Sequence, residues 1–448
     1  MTRKPFVLVT GGTGFLGAHV VKQLLEAGYR VRCVARPLKS RFLEDAHRKR
    51  GDQLEVVEVV DLATANLDQA LTDIQAIIHC AFPAPGSMES TALLMNGVSS
   101  TTNLLRQAYD RGIHKFVLTS SYLAMVGEPE NVWRDYTFSD KDWNDASYEA
   151  AFDGTQDPAW IYAAAKKLTE AAAWEFARTH AALDLATVVP TLIIGPFAPG
   201  HAILSMADLS TNVLLHSLLT IKTPPHPVWP HFVDVRDVAT AHIRALEAPP
   251  FPNFSRRIKP SLAHHSLPPT PRDTKFPPSK SHLSSPPSTT TDHMHFRNER
   301  RKSIPIFSGS SPPPKRFVVS GCSFTWAEVI FYLGSVRPDL AGKLPDEKEC
   351  ILLPENVAGL DIRWSGALLE LDSELNRGET MVVSESDTAR PSDDILWPGL
   401  KVQWRDWRET VLDGIYDLEK VTRTLERSGW EELFDDDEVD DGVDDVEQ

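Results

Sequence analysis

The feature that most constrains this chain is a glycine-rich segment near its N-terminus, FVLVTGGTGFLG at residues 6–17. Its first five residues form a short apolar, β-branched run, which is typical of a buried strand. Gly11, Gly14 and Gly17 then follow at three-residue spacing, and residues 18–27 have the apolar periodicity of a helix. A strand, a glycine turn and a helix in this order predict a dinucleotide site. A pyrophosphate needs close approach to the backbone and the unpaired N–H groups of a helix N-terminus.

The charge of the chain is distributed unevenly. The net charge is −16, and residues 431–447 alone contain eleven acidic side chains. Residues 249–314 are basic instead, with ten Lys and Arg against three acidic residues. The remaining sequence is acidic, which argues against a nucleic-acid partner.

The four cysteines, Cys33, Cys80, Cys322 and Cys350, are scattered along the chain. Because they form no CxxC pair, they indicate neither a metal site nor a disulfide framework. Cys33 and Cys80 fall inside predicted strands, where a cysteine is usually a small buried apolar residue. The first strand begins too close to Met1 for a signal peptide, and no run of about 18 apolar residues could span a membrane. We therefore expect a cytoplasmic protein with no membrane partner.

Apolar runs and helical patterns alternate beyond the first helix. The next four predicted strands are Tyr29–Ala35, Leu54–Val60, Ala76–Cys80 and Lys115–Thr119. A long helical pattern covers Met88–Arg111, and two further ones cover Phe324–Leu333 and Trp404–Thr424. This alternation predicts an α/β fold, a Rossmann-type doubly wound parallel sheet with a smaller C-terminal substrate lobe.

The ends of the second and third strands carry the residues that would choose the cofactor. A site that prefers NAD places a carboxylate after the second strand, whereas this chain has Arg36, with Lys39 and Arg41 in the predicted loop that follows. A guanidinium pairs with a 2′-phosphate, so we predict NADP(H). Asp61–Leu62 ends the third strand, where Asp61 would accept from the adenine amino group or cap a helix. Ala81–Pro83 follows the fourth strand and should lie beside the cofactor.

The fifth strand leads into Ser120 and Ser121, and a predicted helix over Pro158–Thr179 contains Tyr162 and Lys166. Residues four apart on a helix share a face, so the tyrosine and lysine could reach one ligand. Such a trio suits carbonyl reduction, in which the forming alkoxide needs a hydrogen-bond donor and then a proton. We expect the Lys166 ammonium to lower the pKa of the Tyr162 phenol and Ser121 to hold the carbonyl oxygen. The same residues could also be a helix-surface pair and a serine that satisfies local backbone groups.

These motifs together resemble the extended short-chain dehydrogenase/reductase superfamily of NAD-dependent epimerases and dehydratases. The segments that carry the resemblance are TGGTGFLG, LTSSYLAMVG, YAAAKKLTEAAAWEF, VVPTLIIGPF and HFVDVRDVATAH. They are similar to the branch that holds fungal methylglyoxal and aldehyde/ketone reductases, dihydroflavonol 4-reductase and cinnamoyl-CoA reductase. The resemblance covers residues 1–248 well and 315–425 loosely.

The resemblance implies Ser121, Tyr162 and Lys166 as the catalytic residues, with Ser120 as the alternative serine. It implies cofactor contacts at Gly11, Gly12, Thr13, Gly14, Phe15, Leu16, Arg36, Lys39, Asp61, Leu62, Ala81, Tyr162, Lys166, Pro190 and Ile193, and a polar contact near Ser210–Thr211. Candidate pocket residues are Phe82, Tyr122, Val126 and the loop Ile194–Pro199. An apolar pocket of this kind suits a small hydrophobic carbonyl substrate.

We divide the chain into four segments. They are 1–248, the NADP(H)-binding Rossmann domain with the catalytic residues and part of the substrate lobe; 249–314, an insert; 315–430, which completes the fold and the lobe; and 431–448, a disordered acidic tail. The insert has fifteen prolines in 66 residues and should be disordered, either as a basic linker or as a retained intron, which we favour. The connection over Arg377–Trp397 looks longer than is usual in the branch.

The sequence thus predicts NADPH-dependent reduction of an aldehyde or ketone, with Tyr162 as the proton donor, by a monomer or homodimer. A 3β-hydroxysteroid dehydrogenase-like enzyme or a nucleotide-sugar epimerase or dehydratase is the alternative, since these share the fold and the trio. A non-catalytic regulator that senses NADP(H) is the third hypothesis, although such proteins commonly lose the Tyr/Lys pair that this chain keeps.

Overall fold

The computed structural model describes residues 4–250, 315–362 and 400–427, apart from residues 86, 128, 153, 154, 222, 223, 227 and 401. The predictions on the insert beyond residue 250, on residues 377–397 and on the acidic tail therefore lie outside the described residues.

Strands and helices alternate along the first half of the described chain. The strands are β1 Phe6–Thr10, β2 Arg30–Ala35, β3 Leu54–Glu58, β4 Ala76–His79, β5 Lys115–Thr119, β6 Thr137–Phe138, β7 Asp184–Pro190, β8 Leu192–Ile194, β9 His231–Asp234, β10 Arg316–Val319, β11 Cys322–Ser323 and β12 Gly359–Leu360. The α-helices are α1 Phe15–Glu26, α2 Pro37–His47, α3 Asp68–Leu71, α4 Ser90–Asp110, α5 Leu123–Val126, α6 Tyr148–Ala151, α7 Pro158–Thr179, α8 Val213–Thr220, α9 Val235–Glu247, α10 Trp326–Val336 and α11 Trp407–Arg427. None of these helices is long and apolar enough to cross a membrane.

The centre of the molecule is a seven-stranded sheet in the order β10-β7-β5-β4-β1-β2-β3. All of its strand pairs are parallel, so the chain returns to the same edge through a helix after each strand. The inner strands β1 and β4 are covered on both sides, which explains why they are nearly continuous apolar runs. The predicted Rossmann-type doubly wound sheet is confirmed.

Successive side chains of each strand point to opposite faces of the sheet, and each face packs a different pair of long helices. One face carries Val7, Val9, Val31 and Cys33 and packs against α1 and α9. The other carries Phe116 and Leu185 and packs against α4 and α7. The second face is where the catalytic helix predicted from the sequence lies.

The substrate lobe combines segments from both sides of the insert. A small sheet, β11-β9-β8, packs with α8, α10 and α11 around a core in which the rings of Phe232 and Phe324 stack with centroids 3.8 Å apart. The helix α10 begins two residues later than its pattern predicts. Thr325 and Glu328 form a capping box that sets its first turn at Trp326.

The residues that flank the insert, Ala248 and Lys315, lie close together beside the central sheet. Lys115 Nζ donates to the carbonyl oxygen of Ala248 at 2.5 Å and pairs with Asp184 at 2.7 Å. Lys315 Nζ pairs with the other oxygen of Asp184 at 2.5 Å. Because residues 248 and 315 lie against the same lysine–aspartate pair, this geometry supports treating 249–314 as an insert, and the domain boundaries stay a prediction.

Candidate active site

The glycine-rich loop joins β1 to α1 and fits a pyrophosphate. Gly14 is the N-cap of α1 and offers no side-chain cap, so the first N–H groups of the helix have no side-chain acceptor. Gly11 has a φ of +72°, and a Cβ on it would lie 2.7 Å from Ala81 N. A Cβ on Gly17 would lie 2.0 Å from Gly11 O. The loop therefore lies close against Ala81 at the end of β4, which is possible only with glycine at these positions.

The other predicted loop residues pack inwards. A Cβ on Gly12 would lie 2.3 Å from the Sγ atom of Cys33. Thr13 is buried and its carbonyl oxygen accepts from Ala202 N at 3.0 Å, while Leu16 packs against the core of the sheet. What the loop offers to a ligand is consequently its backbone.

The segment after Arg36 is a helix, so the prediction of a loop there is wrong. Arg36 is the N-cap of α2 and Pro37 is its first residue, because proline has a suitable φ and needs no donor there. Arg36 is exposed and has no ion-pair partner among the described residues. Lys39 lies in the first turn, where its ammonium pairs with Asp208 and lies 3.4 Å from Ala202 O. Of the two cations predicted for the 2′-phosphate, Arg36 is the one that faces solvent.

Asp61 ends the segment after β3 in a turn and caps no helix. Its carboxylate accepts from Ala63 N at 2.9 Å and Thr64 Oγ1 at 2.8 Å, and Asn96 Nδ2 lies 3.3 Å away. Leu62 packs against the sheet core. The adenine contact of this segment stays a prediction.

The helix α7 carries both Tyr162 and Lys166. It begins after Asp157, whose carboxylate accepts from the N–H groups of Ala159 and Trp160. Its bounds, Pro158–Thr179, are those predicted. Lys166 is 6% exposed, and Tyr162 is partly buried one turn before it on the same face.

The two serines after β5 differ in what their hydroxyls do. Ser120 is buried, and its Oγ donates to the Glu170 carboxylate at 2.6 Å. Ser121 is half-buried, and its Oγ accepts from Leu123 N at 3.2 Å, which leaves its proton for another acceptor. This arrangement favours Ser121 over Ser120 as the residue that binds a substrate oxygen.

Phe82 contacts both candidate residues of α7. Its ring lies edge-on to the ring of Tyr162, with centroids 5.8 Å apart, and Lys166 Nζ lies 4.0 Å from the Phe82 ring centroid. The ring fits a notch in α4 at Gly97, where a Cβ would lie 2.6 Å from the ring. Phe82 is predicted to lie beside the cofactor and to line the pocket, whereas its cation–π contact with Lys166 could not be read from the sequence.

The pKa expected for Tyr162 is wrong in direction. Burial raises the pKa of the Tyr162 phenol to about 12, although Lys166 lies one turn away. Burial also lowers the pKa of the Lys166 ammonium to about 8, and the charge of Glu170 opposes that shift. Burial is the cause of the Tyr162 shift, and with a raised pKa the phenol keeps its proton at neutral pH.

The predicted pocket residues Tyr122 and Val126 pack in one cluster with Trp229. The Tyr122 ring packs against Trp229 with centroids 5.5 Å apart, and Val126 is buried beside them. Burial and the nearby Tyr162 raise the pKa of Tyr122. Sequence reasoning missed Trp229, whose only signal was its place just before the HFVDVRDVA motif.

The predicted contact residues at the end of β7 and just beyond it lie in different parts of the molecule. Pro190 O accepts from Tyr122 N at 3.0 Å, and the carbonyl of Ile193 accepts from the Thr211 hydroxyl. In the loop Ile194–Pro199, Ile194 is buried in the lobe core, and Phe197 packs against Phe15 with centroids 5.6 Å apart. This loop thus reaches the glycine-rich loop.

The fold and the site together define a dinucleotide-dependent enzyme built on a parallel α/β sheet. The chain belongs to the NAD dependent epimerase/dehydratase family, which it matches over residues 7–253. The resemblance found in the sequence is confirmed.

Several relatives are fungal reductases. An uncharacterized oxidoreductase of Schizosaccharomyces pombe is 36% identical over 249 residues, which cover 54% of this chain and 73% of that protein. Ketoreductase sphI of Aspergillus fumigatus is 33% identical over 268 residues, 57% of this chain and 78% of its own. The NADPH-dependent methylglyoxal reductase GRE2 of Saccharomyces cerevisiae is 29% identical over 258 residues, 54% of this chain and 74% of its own.

Two solved structures have the same fold. Yeast methylglyoxal/isovaleraldehyde reductase Gre2 complexed with NADPH matches with a TM-score of 0.61 at 22% identity, over 93% of this chain and 99% of that one. Vestitone reductase from alfalfa matches with a TM-score of 0.58 at 19% identity, over 94% of this chain and 99% of that one. At these identities the likeness concerns the fold alone.

Proposed function

We propose that this protein reduces an aldehyde or ketone to an alcohol with NADPH, and that Tyr162 is the proton donor. The observation that carries the proposal is the pair on α7, a protonated phenol one turn from a buried ammonium. Tyr162 and Lys166 both contact Phe82, which directly follows Ala81, the residue packed on the glycine-rich loop. A cofactor in that loop and a substrate at Tyr162 would consequently be neighbours.

The oxidoreductase class and the NADP(H) cofactor rest on the relatives. These include ketoreductases and an NADPH-dependent methylglyoxal reductase, and yeast Gre2 is known in complex with NADPH. Both expectations from the sequence, an NADP-dependent oxidoreductase and NADP(H), are confirmed. Arg36 is the residue we propose for the 2′-phosphate, because its exposed guanidinium follows β2 at the edge where such sheets bind ligands.

The residues of the site divide the chemistry of carbonyl reduction. NADPH, when bound, supplies the hydride that forms the new C–H bond. The Tyr162 phenol donates its proton to the carbonyl oxygen, which forms the O–H bond of the alcohol and leaves a phenolate. Lys166 stabilises that phenolate by its charge, and the Ser121 hydroxyl donates a hydrogen bond to the same carbonyl oxygen. Solvent then returns a proton to Tyr162.

The substrate that fits the described surroundings is a small apolar carbonyl compound. Phe82 lies against the ring of the proton donor, and Tyr122, which lies near Tyr162, packs on Trp229 in a cluster that includes Val126. Such a lining holds an apolar substituent and leaves the carbonyl oxygen to the two hydroxyls.

The test is the turnover of Tyr162→Phe with NADPH, using methylglyoxal, isovaleraldehyde and larger aldehydes and ketones as substrates. Loss of the donor should lower kcat by about 10²–10⁴-fold with little change in NADPH affinity. Tyr109→Phe is the matched control, because Tyr109 lies on α4 against Phe176 and His180, at the end of α7 away from Tyr162. Full activity of Tyr162→Phe, or no NADPH oxidation by the unaltered protein with any substrate, would contradict the proposal.

A further inference from the structure

The Glu170 carboxylate lies at the centre of a buried polar cluster that the reaction itself does not use. Its side chain is 1% exposed, and that of Arg316, which pairs with it at 2.8 Å, is 0% exposed. Ser120 Oγ donates to one carboxylate oxygen at 2.6 Å and Thr187 Oγ1 to the other at 2.8 Å. Although burial favours the neutral acid, the charge of Arg316 and these hydrogen bonds hold the pKa of Glu170 below its usual value. The carboxylate is therefore ionised and fully bonded.

The position of Glu170 joins the two elements that carry the catalytic residues. On α7 it lies one turn after Lys166, and its bond to Ser120 reaches the residue just before Ser121. The backbone of the same strand end is held by Ser120 N, which donates to Val188 O at 2.7 Å. One side chain thus fixes the spacing between the helix of Tyr162 and Lys166 and the strand end of Ser121.

The cluster is built across three adjacent strands. Arg316 of β10 is the register partner of Thr187 of β7, and β7 pairs with β5, which ends beside Ser120. Arg316 also donates to Asp140 O at 3.1 Å and lies 3.8 Å from the Trp143 ring. The first strand after the insert therefore supplies the cation that keeps Glu170 in place.

We propose that Glu170 is a positioning residue, which holds the strand end of Ser120 and Ser121 in register with Tyr162 and Lys166. The proposal rests on the proposed function, since it assigns a role in the geometry of that site. Without the bond from Ser120, the strand end can shift against α7, and a misplacement of about 1 Å at a reacting group can cost about 10²-fold in rate. Glu170 and Arg316 act through the serines and touch no reacting atom.

Thr187 provides a matched control within the cluster. Ser120 and Thr187 are both buried, and each donates one hydroxyl bond to the same carboxylate. Only Ser120 is followed by a catalytic residue. Ser120→Ala and Thr187→Val should therefore cost similar stability, and a cluster that serves folding alone would give both variants the same kcat.

The experiment compares kcat, NADPH affinity and hydrogen exchange in the two variants. Ser120→Ala should lower kcat about 10–100-fold with unchanged NADPH affinity and speed amide exchange in residues 119–123 about tenfold. Thr187→Val should stay within about twofold of the unaltered protein in kcat and in exchange over those residues. Glu170→Gln should lower kcat in the same way as Ser120→Ala, because it weakens the same bond.

Two results would overturn the positioning role. Equal kcat and equal exchange in Ser120→Ala and Thr187→Val would show that the cluster serves folding only. Loss of turnover in Ser120→Ala with full turnover in a folded Glu170→Gln would show that the Ser120 hydroxyl acts on substrate itself. If the unaltered protein reduces no carbonyl compound, the proposed function fails, and the exchange measurement still decides whether Glu170 holds the strand end.

Discussion

The two sides of the central sheet each contain an arginine–glutamate pair, and the glutamates of the two pairs differ in their exposure to water. In the catalytic half, formed by β10, β7, β5 and α7, the Arg316 and Glu170 side chains are 0% and 1% exposed. In the cofactor half, formed by β1, β2, β3 and α1, the Arg32 and Glu55 side chains are 10% and 36% exposed. Both arginines also lie over an aromatic ring, Trp143 and Phe6 respectively. The two pairs thus have the same chemical groups and differ in how far water reaches the glutamate.

This difference indicates what each half is built to do. We propose that the cofactor half holds its ligand with backbone groups of a glycine loop, so its charged pair can remain at the edge of the sheet. The catalytic half must keep a lysine and a carboxylate away from water on one helix, and a buried carboxylate is tolerated only with a cation and several hydrogen bonds. The buried pair therefore stabilises the site only when the carboxylate, its cation and its hydrogen-bond donors are all present.

The largest expected effect is the loss of Arg316. Arg316→Met leaves the Glu170 charge buried without its cation, which should lower the free energy of unfolding by about 3–5 kcal/mol. Arg32→Met should cost less, because Glu55 stays in contact with water and keeps its ion pair with Arg30 at 2.8 Å. Urea unfolding of the two variants measures both values.

A second substitution sharpens this comparison. In the Arg316→Met background, Glu170→Gln removes the buried charge that has lost its cation, and this should restore part of the lost stability. In the Arg32→Met background, Glu55→Gln should restore none. Equal losses from the two arginines, or strictly additive effects in the catalytic half, would mean that burial does not distinguish the pairs.

The second expected effect is a loss of stability in acid, and it tests whether the two halves of the sheet unfold together. Burial lowers the pKa of His19 and His242 to about 4 and that of His79 to about 3. The unfolded chain binds protons at these histidines below pH about 6.5 and the folded chain does not, so stability is full above that pH and falls towards pH 4. Each histidine should remove about 1.4 kcal/mol per pH unit in that window.

The three histidines lie on three different elements that form or cover the central sheet, so acid should unfold the protein in one transition. His19 is on α1, His79 is on β4, and His242 bonds Thr119 of β5 at 2.8 Å. Burial raises the pKa of Asp237 to about 6, so this carboxyl group gains a proton more readily in the folded chain and opposes the loss of stability in acid. It offsets the effect of only one histidine. Urea unfolding at several pH values should show that the free energy of unfolding falls less steeply with decreasing pH in His19→Gln than in the unaltered protein. Two separate transitions would show that the halves are independently stable.

The same comparison explains which parts could be predicted from the sequence. The cofactor half is contiguous, and β1 has the predicted bounds because one apolar run defines it. Arg316 and Glu170 are 146 positions apart and separated by the insert, so no local pattern could pair them. The direction of the Tyr162 pKa was missed for a related reason. Helical spacing shows which residues share a face, and burial depends on what packs over that face, here Phe82.

The smallest expected effect distinguishes the two cations of the cofactor half. Because Lys39 is paired with Asp208 and Arg36 is exposed, Arg36→Ala should weaken NADPH binding by about tenfold, or about 1.4 kcal/mol, and Lys39→Ala by less than about threefold. NADH binding, which involves no 2′-phosphate, should change little in either variant and serves as the control. Fluorescence titration of both cofactors measures these constants. A larger loss of NADPH affinity in Lys39→Ala would mean that the phosphate draws Lys39 away from Asp208, and that both predicted cations bind it.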